Sequence, residues 1–290
     1  MKRTIGEKIF NIFNMVFMIM FSIVCLYPFL YTITISLSTT SEAVKDGLHI
    51  FTLHPTIEAY KLALQNDNMG ISYANTIVRT VAGSALSLLV SLMYAYALSR
   101  DDLPKHKFFT NILIFTMLFN GGTIPTYLVI KNLGLLNNRW VYILPTLISA
   151  YNVIIARSFF KSIPESLHES AVLDGASEFR TFFTIYIPLS KAVIMTLVLW
   201  IAVGHWNSWY DAMIYINDDK KIVVQLLLQR MIQSSQTKVV NTAVNSNAVT
   251  VMPITIRSAT TIIAILPILA VYPFIQKYFM GGVMLGAIKG

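Results

Sequence analysis

Long apolar stretches alternate with shorter polar stretches along the chain, and this alternation predicts its main elements. A helix needs about 20 predominantly apolar residues to cross the hydrocarbon core of a bilayer. Six stretches meet that length, and they cover residues 9–37, 72–99, 108–130, 140–160, 192–214 and 258–279. The pattern therefore predicts an all-α, polytopic membrane protein with six transmembrane helices. The first stretch is longer than the apolar region of a signal peptide, so we expect it to be retained.

Glycine and proline interrupt several of these stretches. Asn120, Gly121 and Gly122 come shortly before Pro125 in the outer half of the third span, and this composition should break the helix. In a membrane, a broken helix is tolerated only where protein or a water-filled cavity surrounds it. The break therefore points to the translocation path or a subunit contact. Prolines should also bend other spans, at Pro28 in the first and at Pro267 and Pro273 in the sixth.

A mostly polar segment at residues 165–189 separates the fourth and fifth spans. Ser162 and Glu165 have the spacing of a capping box, and Pro164 suits a first turn, so a helix should begin near Ile163. Gly175 supplies a residue that readily adopts the left-handed conformation in which many helices end. A second amphipathic helix is predicted from aromatic residues spaced i, i+3, i+4 and i+7, namely Phe179, Phe182, Phe183 and Tyr186.

The distribution of basic residues predicts the topology. Cytoplasmic loops are enriched in Lys and Arg, and one side of the predicted membrane holds about 12 of them in short segments, namely Lys2, Arg3, Lys8, Arg100, Lys105, Lys107, Arg157, Lys161, Arg180, Lys191, Lys277 and Lys289. The other side holds about 10 in much longer segments. Both termini and the 165–189 segment are therefore predicted to be cytoplasmic. Arg79 lies in the outer turn of the second span and should snorkel to the interface.

Composition supports a membrane protein and excludes other classes. Hydrophobic residues make up 55% of the 290 residues and charged residues only 12%. The net charge of +8 does not indicate nucleic-acid binding, because the basic residues lie in short clusters beside apolar spans. Cys25 is the single cysteine, so the chain has no intrachain disulfide and no cysteine-based metal cluster. The sequence contains no P-loop motif for ATP phosphates.

The polar segment also resembles the EAA loop of the membrane subunits of bacterial ATP-binding-cassette importers. The resemblance rests on Glu169-Ser170-Ala171, Asp174-Gly175-Ala176, Phe182, Ile185 and Pro188-Leu189. Ser170 stands where the family usually has alanine, and Ala192 where many members have proline. In that family the loop's short helix lies in a groove of a cytoplasmic ATPase. The resemblance implies the same role for residues 162–190, with these coupling residues: Glu165, Leu167, Glu169, Ser170, Ala171, Asp174, Gly175, Ala176 and Phe182. The alternative is an ordinary loop whose helix lies on the cytoplasmic membrane surface.

Weaker matches resemble the carbohydrate-importer branch of that family, in particular the second permease of a heterodimeric pair. They are the segment from Gly121 to Tyr127 with Leu133-Gly134-Leu135, the pair Trp206-Asn207 and the tail from Lys277 to Gly290. The expected partners are a homologous permease, two cytoplasmic ATPases that use ATP and Mg, an extracytoplasmic solute-binding protein and membrane lipid. The expected domains are an N-terminal segment with the first span (1–71), the importer transmembrane domain (72–280) and a cytoplasmic tail (281–290).

Two sets of residues leave alternatives open. Asn120, Gly121 and Gly122, together with Trp206, Asn207, Trp209 and Tyr210, are predicted to line the substrate pathway. The aromatic residues of this set have two interpretations. They form a belt at the membrane interface, or their ring faces stack on the rings of a sugar. His205 and Asp211 raise the possibility of a proton relay, although no second buried carboxylate accompanies them. The rival prediction is a self-contained secondary transporter or a membrane enzyme.

Overall fold

The computed structural model describes residues 4–242 and 253–287, and it describes side chains at 4–234 and 254–273. Every regular element in these ranges is helical, which confirms the predicted fold class. The α-helices are α1 (Ile5–Ser36), α2 (Thr40–Ala43), α3 (Glu58–Leu64), α4 (Met69–Ser99), α5 (His106–Leu118), α6 (Thr123–Asn132), α7 (Ala150–Phe160), α8 (Glu165–Leu173), α9 (Glu178–Thr181), α10 (Ile187–Leu189), α11 (Lys191–Asn207), α12 (Tyr210–Tyr215), α13 (Val224–Thr242) and α14 (Pro253–Ala287). Two 3₁₀ turns, Arg139–Tyr142 and Leu144–Thr146, precede α7.

Three helical segments in the described ranges are long and apolar enough to cross a membrane, namely Ile5–Ser36, Met69–Ser99 and Ile254–Pro273. Three bent pairs also qualify, and they are His106–Leu118 with Thr123–Asn132, Arg139–Thr146 with Ala150–Phe160, and Glu178–Leu189 with Lys191–Asn207. Counting each bent pair as one span makes six, the predicted number. The predicted break in the third span is confirmed, because α5 and α6 meet at 118°.

Two other spans differ from the prediction of unbroken helices. The fourth is bent by 49° between its 3₁₀ turns and α7, where Pro145 lacks the N–H that a continuous helix needs. The predicted fifth span (192–214) ends as an α-helix at Asn207 and resumes at Tyr210. The bent pair counted for it above begins earlier, at Glu178, and is bent by 87° between Leu189 and Lys191. Ser208, between Asn207 and Tyr210, accepts a hydrogen bond from Arg79 on its carbonyl oxygen. This bond ties the Ser208 carbonyl to a neighbouring helix.

The chain forms two compact units, of which the first comprises Met1–Asp67 and Leu228–Pro267. Within it, the segment after α1 folds back onto the end of that helix. Thr34 Oγ1 donates to the Ile50 carbonyl (3.1 Å) and the Ser36 and Tyr60 hydroxyls hydrogen-bond at 2.7 Å. The Thr52 hydroxyl donates to Glu42 at 2.5 Å, and this bond lowers the pKa of the Glu42 carboxyl.

The second unit comprises Asn68–Leu227 and Ile268–Gly290, and α4 lies at its centre against α7 and α11. One face of α4 presents small or polar residues at helical spacing, and these are Ser72, Thr76, Arg79, Gly83, Ser87, Ser91 and Ala95. Small residues let membrane helices approach closely. The approach is closest at Gly83, where an added Cβ would lie 2.7 Å from His205 Nε2 on α11.

The buried core of this unit lies around the C-terminal half of α4. It comprises Leu92, Ala95, Tyr96, Leu98, Leu113, Val153, Ala156, Phe160, Phe182, Tyr186, Val193, Ile194 and Leu197. Phe182 and Tyr186 come from the polar segment that follows the fourth span. The segment is therefore part of the core that joins α4, α7 and α11.

The other end of α4 is held by backbone and side-chain hydrogen bonds. Asn75 Nδ2 donates to the carbonyl oxygens of Lys220 (3.0 Å) and Ile222 (2.9 Å). Arg139 Nε donates to Asn75 Oδ1 at 3.0 Å. These bonds satisfy the polar groups of the irregular segment between α12 and α13, as buried backbone requires.

Candidate functional site

The predicted coupling helix exists as α8, and its end has the geometry expected from Gly175. The Ala176 N–H donates to the Ala171 carbonyl and the Gly175 N–H to the Val172 carbonyl, both at 2.9 Å. With Gly175 at φ +75°, these two bonds form a Schellman motif. The motif ends α8 at Leu173 and turns the chain toward α9 within a few residues.

The start of α8 differs from the predicted capping box. Pro164 occupies the N-cap position, and no side-chain bond caps the helix there. The Ser162 hydroxyl instead donates to the Phe159 carbonyl at 2.7 Å, at the end of α7. The Ser162 hydroxyl therefore bonds the end of the preceding helix, whose Phe159 carbonyl also accepts from the Ser162 N–H at 3.0 Å.

The two faces of α8 differ in exposure. His168 and Ala171 are buried against the rest of the unit, whereas the opposite face is open. Three apolar side chains of α8 are exposed, with exposed fractions of 88% for Leu173, 50% for Val172 and 41% for Leu167, and Leu173 lies opposite the buried face. Predicted coupling residues with polar side chains are exposed there too, and they are Glu165, Glu169, Ser170 and Asp174. The helix thus exposes apolar side chains together with acidic ones.

Glu178 links the loop to α4. Its carboxylate accepts a hydrogen bond from the Tyr96 hydroxyl of α4, and His168 Nε2 of α8 lies 3.1 Å from its Oε1. Tyr96 and His168 are both buried. One carboxylate at the start of α9 therefore joins α8 to α4, a helix that extends through the second unit.

The aromatic residues of the loop do not share one face, as the predicted amphipathic helix required. Phe182 and Tyr186 are buried with ring centroids 5.2 Å and 4.8 Å from that of Tyr96, but Phe179 and Phe183 are exposed. The physical reason is a π-helical turn at Phe182–Tyr186, which follows the short α9 and rotates successive side chains differently from an α-helix.

Surface ion pairs surround the start of the loop. Lys161 Nζ donates to Asp101 Oδ1 at 2.8 Å, which lowers the pKa of the Asp101 carboxyl. Arg100 Nη1 lies 3.9 Å from Glu165 Oε1. Arg100 and Asp101 lie on the connection between α4 and α5, so the start of α8 is flanked by charges from another part of the unit.

The predicted pathway residues fall into two groups. At the break in the third span, Asn120 Oδ1 accepts a hydrogen bond from the Gly122 N–H (2.9 Å), and Gly122 has φ +89°. All three residues from Asn120 to Gly122 are exposed. The left-handed backbone at Gly122 explains the glycine, since a side chain there would be strained.

The second group surrounds the break between α11 and α12. Trp206 is buried, with its ring centroid 6.3 Å from that of Tyr73, whereas Asn207 and Tyr210 are exposed and Trp209 is half-buried. A contact between the two regions is made by Tyr127 of α6 and Tyr215 of α12, whose rings stack at 6.1 Å. That Asn207 and Tyr210 share a substrate path with Gly121 and Gly122 stays a prediction.

The family model described as "Binding-protein-dependent transport system inner membrane component" matches residues 1–283. The chain belongs to this family. It is 40% identical over 290 residues to Protein LplC of Bacillus subtilis (strain 168), covering 100% of this chain and 98% of the relative. It is also 38% identical to the polygalacturonan/rhamnogalacturonan transport system permease protein YtcP of the same organism, covering 98% and 99%.

A solved structure agrees with this family assignment. The chain superimposes with a TM-score of 0.84 and 32% identity on a chain in the crystal structure of a bacterial ABC transporter involved in the import of the acidic polysaccharide alginate. The match covers 96% of this permease and 99% of that chain. This permease is thus a membrane transport component, and its family is not one of enzymes.

The structure shows one cluster in this permease that the sequence reasoning missed. Arg79 does not snorkel, because its side chain is only 2% exposed and its guanidinium forms an ion pair with Asp211. Arg79 Nη1 donates to Asp211 Oδ1 (3.1 Å) and to the Ser208 carbonyl (3.0 Å). The guanidinium carbon lies 4.7 Å from the centroid of the Tyr142 ring.

A signal for this pair was present in the sequence. Two residues of opposite charge, Arg79 and Asp211, each lie in a predicted span, and ionisable groups within a membrane usually pair with one another. Their separation of 132 residues conceals the pairing. Only the packing of α12 beside α4 brings them together.

Proposed function

We propose that this permease forms half of the translocation pathway of an ATP-driven importer that takes up a carbohydrate delivered by an extracytoplasmic solute-binding protein. A homologous second permease supplies the other half, and two cytoplasmic ATPases hydrolyse Mg-bound ATP. Both termini and the loop containing α8 lie on the cytoplasmic side of a bacterial cell membrane. This chain binds neither ATP nor a metal in the proposed assembly.

The observation that supports this proposal most directly is the geometry of α8. A short helix with three exposed apolar side chains, Leu167, Val172 and Leu173, is suited to a groove on a partner protein. Its buried face and its Schellman end hold it firmly on the unit, so a force on α8 reaches the core rather than bending a loop. The alternative, a helix lying on the membrane surface, requires no such attachment to α4.

The attachment suggests how closure of the ATPases reaches the membrane. Movement of α8 is transmitted through His168 and Glu178 to Tyr96 on α4, and through Phe182 and Tyr186 to the core. ATP binding then favours one arrangement of the spans because docking differs in free energy between two states. Docking that was equally strong in both states would shift nothing.

The carbohydrate substrate is supported by the relatives. One is called a polygalacturonan/rhamnogalacturonan transport system permease, and the superimposed crystal structure is of an alginate importer. A further relative, 26% identical over 98% of this chain, is a diacetylchitobiose uptake system permease of Streptomyces coelicolor. All three names refer to saccharides built from several sugar units, so we assign the same class to this permease.

Co-purification tests the docking of α8. The permease, expressed with its neighbouring genes and purified in mild detergent, should carry an ATPase at a ratio near 1:1. Leu173→Glu places a charge at the most exposed apolar position of α8, and we expect most of the ATPase to be lost. Leu53→Glu is the matched control, because Leu53 is 83% exposed but follows the first predicted span, on the side of the membrane opposite the predicted cytoplasmic N-terminus.

The two variants separate docking from general effects of surface charge. Retention of the ATPase by Leu173→Glu would contradict docking at this face. Loss in both variants would indicate disturbed assembly instead of a specific contact. If no ATPase co-purifies with the unmodified permease, the proposal that it belongs to an ATP-driven importer is contradicted.

A second prediction concerns the link through Glu178. Glu178→Ala removes the acceptor of both Tyr96 and His168, and we expect sugar uptake to fall by about fivefold or more, since each lost hydrogen bond has a cost of about 1 kcal/mol. The ATPase should still co-purify, because the exposed face of α8 is unchanged. Uptake of labelled sugar into cells and the ATPase ratio are the two measurements.

Arg180→Gln serves as the control for this prediction, because Arg180 is exposed on the same short helix α9. Tyr96→Phe should reproduce part of the defect, as it removes one of the two bonds and leaves the aromatic packing intact. Normal uptake by Glu178→Ala would show that movement reaches α4 by another route.

A further inference from the structure

A polar cavity of about 270 Å³ lies within the second unit, between α4, α7 and α11. It is distinct from the residues predicted to line the pathway. Hydrogen-bonding side chains from several elements surround it, among them Arg79, Ser87, Ser91, Thr146, Asn152 and His205. Polar groups in a membrane protein are costly unless they pair with one another or face a ligand or water.

Several of these groups are poorly satisfied. Ser91 Oγ and Arg79 Nε are buried, and neither has a hydrogen-bond partner in the described part of the chain. Ser87 Oγ reaches the Thr146 carbonyl only at 3.4 Å, and Thr146 Oγ1 reaches its own acceptors at 3.3 and 3.4 Å. Hydroxyl hydrogen bonds usually measure about 2.7 to 2.8 Å. A ligand with several hydroxyl groups would therefore gain short bonds here.

The charge of the cavity indicates which ligand suits it. Arg79 is the one permanently charged side chain among the described lining residues, and none of these residues is acidic. Asp211 neutralises the two Nη atoms of Arg79 from outside the lining, which leaves Nε as a donor without an acceptor. A carboxylate is the natural partner for a guanidinium edge.

The size of the cavity limits it to a small group. Pockets for drug-sized ligands measure about 300 to 1,000 Å³, so 270 Å³ is suited to one sugar residue of a longer chain. Gly204 is an exposed lining residue, and a methyl group added there would have no heavy atom within 4 Å outside its own helix. The cavity is therefore open on the Gly204 side.

We propose that this cavity is a subsite for one uronic acid residue of the transported saccharide, with Arg79 Nε facing the carboxylate and Ser91 and Asn152 facing ring hydroxyls. The inference rests on the proposed function and names its substrate class. His205, held against Gly83, forms one wall. The subsite favours acidic over neutral sugars during passage. The predicted pathway residues Trp206, Asn207, Trp209 and Tyr210 are chain neighbours of its lining residues His205 and Ser208.

The test uses the whole importer in proteoliposomes. The binding protein is present at saturating concentration on the side of the membrane that corresponds to the outside of the cell. The probes are trigalacturonate and its carboxyl-reduced counterpart, α-1,4-galactotriose. We expect trigalacturonate to be transported faster. Gly204→Leu should block it, because the side chain enters the open side of the cavity. Ala202→Leu adds the same bulk on the same helix away from the lining and should keep its uptake.

Charge and hydroxyl contacts are tested separately. The double variant Arg79→Gln with Asp211→Asn removes both charges while retaining similar shapes, and the preference for the acidic probe should fall by about fivefold. Ser91→Ala should slow uptake of both probes, whereas Ser84→Ala should not. Ser84 is the matched control. It is a buried serine on α4 whose hydroxyl also has no partner among the described residues, but it does not line the cavity.

The outcomes distinguish this subsite from the proposed function. An unchanged preference in the double variant, or equal losses in Gly204→Leu and Ala202→Leu, would overturn the subsite while uptake by the unmodified importer still supports the function. Faster uptake of galactotriose, or uptake of neither probe by an assembly that contains its ATPase, would overturn the uronic acid assignment alone. An unmodified permease that lacks an ATPase would overturn the proposed function.

Discussion

Arg79→Ala should sharply reduce the amount of permease in the membrane, the largest effect that we expect from a single substitution. The Arg79 side chain is 2% exposed and the Asp211 side chain 18% exposed, so the variant leaves a largely buried carboxylate without its partner. Removing one member of a buried ion pair costs about 3 to 5 kcal/mol. Immunoblots of membranes and the melting temperature of the detergent-solubilised assembly measure the loss.

The paired substitution is the decisive control for this expectation. Arg79→Gln with Asp211→Asn removes both charges at once, so most of the membrane level should return. Lys161→Ala, which breaks the exposed pair with Asp101, should have little effect on either measurement. If Arg79→Ala accumulates normally, or if the double variant is as depleted as the single one, the pair does not stabilise the fold.

Gly175→Val should reduce sugar uptake severely while the permease remains in the membrane near its normal level. Gly175 has φ +75°, and a residue with a side chain, above all a β-branched one, is strained there by about 1 to 3 kcal/mol. No heavy atom lies within 4 Å of a Cβ at this position. The expected defect therefore arises from the backbone conformation of the Schellman turn, and not from a clash.

Gly175→Asn is the matched control, because asparagine tolerates the left-handed region better than other residues with a side chain. We expect it to keep much of the uptake and of the bound ATPase. Uptake of labelled sugar, membrane level and ATPase ratio should be measured together. Normal uptake by Gly175→Val would contradict a role for the turn in coupling, and equal loss in both variants would contradict its backbone origin.

The sequence by itself determined the features that depend on neighbouring residues. The length of each apolar stretch predicts a membrane protein, because crossing hydrocarbon requires a minimum run of apolar residues. The glycines at 121 and 122 predict the 118° break after α5, and Gly175 predicts the end of α8. In each case the cause is a local backbone preference, which requires no knowledge of distant residues.

Some local predictions failed where the same residues could adopt two local arrangements. Ser162 was expected to cap α8 but bonds the end of α7. The aromatic residues from Phe179 to Tyr186 were expected on one helical face, but burial of Phe182 and Tyr186 beside Tyr96 is accommodated by a π-helical turn. Spacing alone does not decide between such alternatives, because their energies differ by little until the neighbouring helices are packed.

Only the tertiary structure decided the contacts between residues far apart in the chain. Arg79 and Asp211 are 132 residues apart, and Tyr96 and Glu178 are 82 apart. The polar cavity likewise requires α4, α7 and α11 together. The physical reason is that a charge or hydroxyl within a membrane must find a partner, but the sequence does not specify which. That choice depends on the close packing of helices along the small residues of α4, above all at Gly83 beside His205.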